Sequence, residues 1–352
     1  MLKKRKNALC LLLALLLLPL PNARAEGEPA VSAASALVMA ADGTVVYEHA
    51  ADERRLIAST TKLMTALLIC ERGGLDEEVE ILPGWCGAEG TSLYLHQGDR
   101  CTVRELLTGL LLASANDAAV ALACYTAGSV EAFAVRMNEK AAALGMNNTH
   151  YVNPNGLDAE GHFSTARDLA KLMFACMANA DFAAITAQRY GEAAEQSFAN
   201  HNKLLWRLPG CLGGKTGYTR AAGRCLVSCA EREGTRFVCV TLSDPDDWND
   251  HERLYAWAFQ NYVNLTVTDG ISFPVPVLSG DRESLTAVPA FTLRLLTRRD
   301  ETLTLRAELP WFTFAPVRAG SEAGTLHILR GEKELAALPL VYAEGAQIRS
   351  NF

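Results

Sequence analysis

The chain has 352 residues, of which 49% are hydrophobic and 21% charged, values typical of a folded protein with one or two domains rather than a disordered one. Its 33 basic and 40 acidic residues give a formal net charge of −7. This acidity argues against nucleic acid and anionic membrane surfaces as partners, because both carry negative charge themselves.

The first 25 residues are typical of a secretory signal peptide. Cations at residues 3–6 precede an apolar run over residues 8–20, and alanines at 23 and 25 are spaced for cleavage before Glu26. The apolar run is short for a membrane span. We therefore expect an exported protein, at the cell wall or the outer face of the cytoplasmic membrane. It would contact the membrane only if this segment is retained.

Apolar periodicity and turn residues predict the secondary structure in chain order. The predicted elements are a hairpin over 35–54, a helix from Ser59, two helices over 102–128 broken near Ser114–Asn116, helices over 130–145 and 164–179, strands over 223–233 and 235–243, a helix over 251–263, and short strands over 266–346 with a hairpin over 324–341. Strands, then helices, then strands again predict an antiparallel sheet with a helical insertion, followed by a small β domain.

Ser59 and Lys62 form the first candidate pair. Residues three apart share one face of a helix, so the hydroxyl and the amine can meet. Serine is a weak nucleophile without a base, and lysine can be that base when burial or nearby cations lower its pKa. The alternative is that Ser59 caps the helix and Lys62 extends to solvent.

Ser114 and Asn116 lie at the predicted break between two apolar helices. A hydroxyl there could relay a proton to a leaving amine, and the amide could hold a substrate carbonyl. The alternative is a helix cap, because serine and asparagine are preferred at that position.

Lys215, Thr216 and Gly217 are predicted to open a strand after two glycines. A cation and a hydroxyl on an accessible strand edge could bind a carboxylate, and Gly217 would let a substrate backbone lie close. The alternative is a glycine-rich turn with a surface lysine. Each motif is weak alone, but the order SxxK, SxN, KTG is that of penicillin-interacting serine acyltransferases.

Longer stretches extend the resemblance to the D-alanyl-D-alanine carboxypeptidases, the low-molecular-mass penicillin-binding proteins. They include "ASTTKLMTALL", "NPNGLDAEGHFSTARDLAKLM", "HNKLLW" and "GGKTGYT", and residues 266–346 resemble the second domain of the family. The resemblance implies an α+β fold, with a β-lactamase/transpeptidase-like domain before a small all-β domain. The predicted divisions are 1–25, 26–264 and 265–352.

The resemblance also implies a mechanism. Ser59 would attack the carbonyl between the two terminal D-alanines of a peptidoglycan stem peptide, with Lys62 as general base. Ser114 and Lys215 would pass the proton to the departing D-alanine, and water would then hydrolyse the acyl-enzyme. β-Lactam antibiotics would acylate the same serine and leave slowly.

The remaining implied roles concern substrate binding. Asn116 would orient the substrate, while Lys215 and Thr216 would face its terminal carboxylate. Gly217 would permit close approach, and the main-chain N–H groups of Ser59 and Tyr218 would form the oxyanion hole.

One loop departs from the family pattern. Classical family members carry an arginine after the last strands that helps to hold the carboxylate, whereas the aligned position here is Asp247 within "SDPDDWNDHERL". We expect the carboxylate contact to depend more on Lys215 and Thr216. The WNDH form resembles the sporulation-associated branch of the family.

Two other functions stay open. A β-lactamase would need a carboxylate to activate water after the SxN motif, and "NPNGLDAEG" lacks that arrangement despite Asp158 and Glu160. A non-catalytic sensor of β-lactams or wall peptides could keep Ser59 and Lys62 without turnover. Release of D-alanine would separate a sensor from an enzyme.

Histidines and cysteines do not predict a metal centre. The sequence has no HExxH and no CxxC, so His162, His201 and His251 are interpreted as loop and hydrogen-bonding residues, and no metal or cofactor is expected. Nine cysteines remain without Cys10, mostly in apolar stretches. They are interpreted as small buried hydrophobic residues, with disulfides left open.

Overall fold

The computed structural model describes the backbone of residues 9–13 and the whole of residues 27–349. Its helices are α1 (Lys62–Arg72), α2 (Val103–Thr108), α3 (Asn116–Ala127), α4 (Val130–Ala143), α5 (Ala166–Ala178), α6 (Ala180–Thr186), α7 (Leu204–Arg207) and α8 (Asp247–Asn261). A 3₁₀ turn, Ala58–Thr61, leads into α1, and a π-helical turn, Gly109–Ala113, extends α2.

The strands are numbered in chain order. They are β1 (Leu9–Leu13), β2 (Ser35–Ala40), β3 (Val45–His49), β4 (Glu78–Glu80), β5 (Arg100–Thr102), β6 (Tyr190–Ala193), β7 (Gln196–Ala199), β8 (Cys211–Thr219), β9 (Gly223–Arg232), β10 (Thr235–Leu242), β11 (Tyr262–Thr266), β12 (Phe273–Leu278), β13 (Ser284–Pro289), β14 (Arg294–Arg298), β15 (Leu303–Leu309), β16 (Thr313–Phe314), β17 (Glu322–Arg330) and β18 (Lys333–Tyr342).

The described chain divides into two compact units near residue 260. The first unit contains a five-stranded antiparallel sheet in the order β3-β2-β10-β9-β8. A row of cross-strand neighbours, Leu37, Val240 and Val227, ends at Lys215 on β8. These three apolar side chains are fully buried. The register therefore places the Lys215 side chain on a buried apolar face at the edge of the sheet.

The two faces of this sheet are covered by different helices. Side chains of β9 and β10 such as Val227 and Val240 belong to the apolar core that α1, α3 and α5 share. On the opposite face, Ser228 Oγ bonds His251 Nδ1 of α8 at 2.8 Å, and the rings of Phe237 and Phe259 lie 5.2 Å apart. The predicted α+β architecture, with helices on an antiparallel sheet, is confirmed.

The helix ends follow their capping residues. Thr165 caps α5, because its hydroxyl accepts a hydrogen bond from Asp168 N at 3.1 Å. Thr102 and Glu105 form a reciprocal capping box at the start of α2. The predicted hairpins around residues 41–44 and 331–332 are both present.

Four boundaries differ clearly from the prediction. Helix α1 begins at Lys62 and not at Ser59, because residues 58–61 form a 3₁₀ turn. Helix α8 begins at Asp247 rather than at His251, and residues 262–266 form β11 because they pair with β14 instead of continuing the helix. The Lys215-Thr216-Gly217 motif was expected to open a strand. It lies in the middle of β8, because pairing with β9 already begins at Cys211.

The second unit is an all-β domain, as predicted. Its seven-stranded sheet has the order β1-β15-β17-β18-β13-β12-β16, with β11 and β14 as a separate ribbon. Leu305, Leu326, Ile328 and Leu340 are among its buried core residues. The predicted signal segment lies outside the described residues, apart from the backbone of β1, which pairs with β15.

The cysteines of residues 27–349 are all free thiols. Most are buried, in agreement with the interpretation of them as small hydrophobic residues. In the same part of the chain, no single helix is long and apolar enough to cross a membrane, and two sharply bent helix pairs reach that length only together.

Candidate active site

Ser59 lies in the 3₁₀ turn that precedes α1. The turn is fixed by two of its own side chains, because Thr60 Oγ1 donates to Ile57 O at 2.6 Å and Thr61 Oγ1 donates to Ala58 O at 2.8 Å. Ala58 adopts a left-handed backbone with φ of 46°, which costs a non-glycine residue free energy. The strain immediately before Ser59 is held by the buried packing around the turn.

Lys62 is completely buried and has three hydrogen-bond partners. Its Nζ lies 2.8 Å from Ser59 Oγ, 2.7 Å from Asn116 Oδ1 and 2.6 Å from the carbonyl oxygen of Asn155. The predicted contact between Ser59 and Lys62 is therefore present, and solvent extension of Lys62 is ruled out. The pKa of Lys62 lies well below its ordinary value. Burial is the largest cause, and the charge of Lys215 is the second.

Ser114 occupies an unusual backbone position. The π-helical turn ends on it, and Ser114 is left-handed with φ of 64°. The following helix begins at Asn116 with Ala115 as its N-cap, and no side chain caps it. The capping explanation for Ser114 and Asn116 is therefore wrong. The irregular turn instead leaves the Ser114 side chain on the wall of a cleft.

Asn116 is held at both ends of its amide. Its Oδ1 accepts from Lys62, and its Nδ2 donates to the carbonyl oxygen of Glu89 at 2.5 Å. The main chain is fixed as well, since Asn116 N donates to Thr91 O at 2.7 Å. These contacts make Asn116 a bridge between Lys62 and the segment around residue 90.

Asp117 is a buried carboxylate that is absent from the predicted site residues. It accepts hydrogen bonds from Leu93 N and Leu95 N at 3.0 and 3.1 Å and from Ser92 Oγ at 2.5 Å. It thereby fastens residues 92–95 to the start of α3. The sequence does carry a signal for this role, since Asp117 directly follows the SxN motif in an apolar helix. A carboxylate is rarely buried without partners, so a buried one is expected to bind nearby donors.

Lys215 is also buried, with 1% of its surface exposed. Its Nζ donates to Thr216 O at 2.8 Å. Burial lowers the pKa of Lys215 to about 7, because the charged ammonium loses its hydration. Lys215 is thus a buried amine at the sheet edge and not a surface lysine on a glycine-rich turn.

Gly217 brings β8 against the nucleophile turn. A Cβ on this residue would lie 2.9 Å from Ser59 N and 3.1 Å from the carbonyl oxygen of Ile57. Only glycine allows this approach without a shift of the backbone. The next residue, Tyr218, has 68% of its surface exposed. Within the described chain β8 is an edge strand of its sheet, so its outer edge can pair with an extended peptide.

The loop at residues 153–157 supplies another part of the site, although none of its residues is among those predicted from the sequence. The carbonyl of Asn155 accepts from Lys62, and Thr65 Oγ1 donates to Pro154 O at 2.7 Å. Gly156 has φ of 87°, and a Cβ there would lie 2.0 Å from Ala58 O. This loop therefore packs directly on the turn that carries Ser59.

These groups surround one cleft of about 600 Å³. It is lined by Ser59, Thr91, Ser114, His201, Thr216, Gly217, Tyr218, Arg224, Asp247 and Trp248. Five of the eight predicted site residues line it. The other three do not line it: Lys62 is bonded to Ser59, Asn116 is bonded to Lys62, and Lys215 is buried.

The three histidines take different positions. His162 accepts from Val152 N at 3.1 Å and contacts Thr61 Oγ1 at 2.8 Å, and burial lowers its pKa to about 4. His251 is bonded inside the sheet, whereas His201 lines the cleft. In the part of the chain that the structure describes, no group of three or more acidic, cysteine or histidine side chains is placed to hold a metal ion.

The arrangement defines the chemistry that is available. A hydroxyl bonded to a buried amine of lowered pKa can become a nucleophile, and an adjacent edge strand can hold an extended chain. The fold and site are therefore those of a serine enzyme that can form an acyl intermediate with an extended peptide.

Comparison with known proteins identifies the family. The model of peptidase family S11, D-alanyl-D-alanine carboxypeptidase, matches residues 22–246. The D-alanyl-D-alanine carboxypeptidase DacF of Bacillus subtilis is 32% identical over 336 residues, covering 90% of this chain and 86% of that protein. The chain therefore belongs to the D-alanyl-D-alanine carboxypeptidase family, and the resemblance predicted from its motifs is confirmed.

Two further relatives support this assignment. The carboxypeptidase DacC of Escherichia coli is 31% identical over 348 residues, covering 91% of this chain and 85% of DacC. The crystal structure of penicillin binding protein 6B from Escherichia coli superposes with a TM-score of 0.74 at 26% identity. That alignment covers 90% of this chain and 97% of the neighbour, so it includes the second, all-β unit.

Proposed function

We propose that this protein removes the terminal D-alanine from peptidoglycan stem peptides through an acyl-enzyme on Ser59, and thereby limits cross-linking. The observation that carries the proposal is the bonding of Lys62. A neutral amine has two N–H donors and one lone pair. The amide oxygen of Asn116 and the carbonyl of Asn155 can only accept, so they take both N–H groups.

The lone pair of neutral Lys62 is then left for the third partner, the hydroxyl of Ser59, which lies 2.8 Å away. Ser59 Oγ donates its proton to Nζ as it attacks the carbonyl carbon between the two D-alanines. The new bond joins Oγ to that carbon, and the peptide C–N bond breaks when the tetrahedral intermediate collapses. Burial supports this role, because it favours the neutral amine.

Main-chain donors beside Ser59 would stabilise the oxyanion. The first N–H groups of a helical turn have no partner within the turn, and Gly217 lies directly against Ser59 N. We assign the oxyanion hole to the N–H groups of Ser59 and Tyr218. Loss of one such donor typically costs about 3–4 kcal/mol of transition-state stabilisation.

The departing D-alanine needs a proton. Ser114 lines the cleft, and the Lys215 ammonium has a pKa of about 7, close to the value that suits proton transfer at neutral pH. We assign the relay to these two groups. The contacts of Asn116 favour positioning Lys62 over holding substrate, since both ends of its amide are already bonded.

Water would complete the cycle by hydrolysing the ester on Ser59. β-Lactams would form the corresponding acyl-enzyme and leave slowly. A β-lactamase is less well supported, because Asp158 and Glu160 are both solvent exposed and Asp158 accepts from Thr219 Oγ1 at 2.9 Å. A non-catalytic sensor would not require a buried second amine at Lys215.

Localisation is a separate part of the proposal. The cations, apolar run and small residues of the first 25 residues support export, which also brings the enzyme to its substrate. A role in sporulation is supported only by the resemblance of the WNDH loop.

The test is release of D-alanine from diacetyl-L-lysyl-D-alanyl-D-alanine by residues 26–352. The matched control peptide ends in L-alanine. We expect release from the first peptide only, together with a stable penicilloyl adduct. An adduct without release would support a sensor instead, and rapid turnover of penicillin to penicilloic acid would support a β-lactamase.

A further inference from the structure

We propose that Arg224 binds the terminal carboxylate of the substrate and sets the preference for a free C-terminus. This inference rests on the proposed peptidase function and assigns a specificity residue to the same cleft. It adds Arg224 to Lys215 and Thr216, on which the carboxylate contact is expected to depend more because Asp247 stands at the altered position.

The charges around the cleft point to Arg224. Among the residues lining it in the described chain, only His201 and Arg224 can carry positive charge. The pKa of His201 is lowered, mainly by burial and secondarily by the charge of Lys215. Lys215 is buried and does not line the cleft. Arg224 is therefore the permanent cation of the cleft wall, because a guanidinium stays protonated.

The sheet register places Arg224 within reach of the peptide-binding strand. Arg224 on β9 is the cross-strand partner of Tyr218 on β8. Side chains alternate along a strand, so Thr216, Tyr218 and Arg224 share one face. Thr216 is the diagonal neighbour of Arg224, and diagonal positions lie about 7–8 Å apart, a distance that an arginine side chain spans.

Asp247 and Trp248 hold the guanidinium at the cleft. Arg224 Nη2 lies 2.7 Å from Asp247 Oδ1. The Asp247 side chain is 4% exposed, whereas the Arg224 side chain is 44% exposed. The Arg224 Cζ also lies 5.9 Å from the centre of the Trp248 ring. The carboxylate of Asp247 therefore positions the cation instead of repelling the substrate.

The guanidinium retains donors for a ligand. It has five N–H groups in a planar fork, and the ion pair with Asp247 engages one nitrogen. A carboxylate matches the remaining fork in two parallel hydrogen bonds. A terminal carboxylate bound between this fork and the Thr216 hydroxyl would align the preceding peptide bond with Ser59.

The experiment compares two substrates across matched variants. The substrates are diacetyl-L-lysyl-D-alanyl-D-alanine and its C-terminal amide, and kcat/KM is measured for release of D-alanine or D-alaninamide. We expect the wild type to prefer the carboxylate by about ten- to a hundredfold, as for a charge-assisted bidentate contact. Arg224→Gln should lower kcat/KM on the carboxylate by that factor and leave the amide unchanged.

Two further variants separate binding from folding and from general charge. Arg224→Gln with Asp247→Asn removes both charges, so that no buried carboxylate is left unpaired, and should lose the same preference. Arg220→Gln removes an exposed arginine from the turn of the same β8–β9 hairpin, outside the cleft, and should keep the preference.

The outcomes distinguish this inference from the proposed function. Release of D-alanine with an unchanged preference in both Arg224 variants would overturn the role of Arg224 alone. A wild type that releases D-alanine and D-alaninamide equally well would do the same. A wild type that releases neither product would overturn the peptidase function and the inference with it.

Discussion

Replacing Lys62 by glutamine is expected to slow acylation of Ser59 by about a thousandfold. General base catalysis typically contributes 10²–10⁴-fold, and no other amine contacts the Ser59 hydroxyl within the described chain. Glutamine can still donate to Asn116 Oδ1 or to the Asn155 carbonyl, so the loss should fall mainly on the chemistry. The measurement is the rate of penicilloyl adduct formation by mass spectrometry.

The pH dependence of acylation gives the same prediction a second readout. Because the pKa of Lys62 is lowered, the neutral base is available at a lower pH than for an ordinary lysine. The wild-type rate should fall as the pH drops through the folded-state pKa, where Lys62 becomes protonated. The glutamine variant should lack this dependence. Exposed Lys203→Gln is the control, and acylation by Lys62→Gln within tenfold of wild type would refute the assignment.

Gly156→Ala is expected to destabilise the protein by roughly 2–5 kcal/mol, the sum of left-handed strain and a backbone collision. The new Cβ would lie 2.0 Å from Ala58 O and 2.8 Å from Thr61 Oγ1. The loop must then withdraw from the Ser59 turn and take the carbonyl of Asn155 away from Lys62. Acylation should therefore slow along with the loss in free energy of unfolding, measured by urea denaturation.

Gly128→Ala is the matched control. Gly128 has φ of 85°, close to the 87° of Gly156, but no heavy atom lies within 4 Å of its virtual Cβ. Its substitution should cost only the left-handed strain of about 1–2 kcal/mol and leave acylation unchanged. Equal destabilisation by the two alanines would show that the contact with Ala58 does not matter.

The sequence predicted contacts best where both residues lie in one secondary-structure element. Ser59 and Lys62 are three residues apart, so helical geometry alone predicts that they meet. The apolar surroundings of Lys62 also predict its burial. The two hairpins and the β domain follow from alternation and turn residues, and family resemblance selects among the open functions.

Contacts between distant elements were not predictable in this way. Asn155 contacts Lys62 across 93 residues, and Asp117 binds main-chain groups 22–24 residues away. The position of Arg224 at the cleft could not be predicted from the residues around it in sequence. It depends on the register of β8 with β9 and on the ion pair with Asp247 at the start of α8. The Asp247 departure is visible in the sequence, but the compensation that we propose for it depends on the folded sheet.

The central claim is that Ser59 becomes the acyl-enzyme nucleophile, and intact-mass analysis tests it most directly. Residues 26–352 are incubated with penicillin beside Ser59→Ala, and the modified peptide is mapped after proteolysis. We predict one penicilloyl adduct, located on Ser59 and absent from the alanine variant. An adduct on another residue, or an equal adduct on Ser59→Ala, would contradict the account of this site.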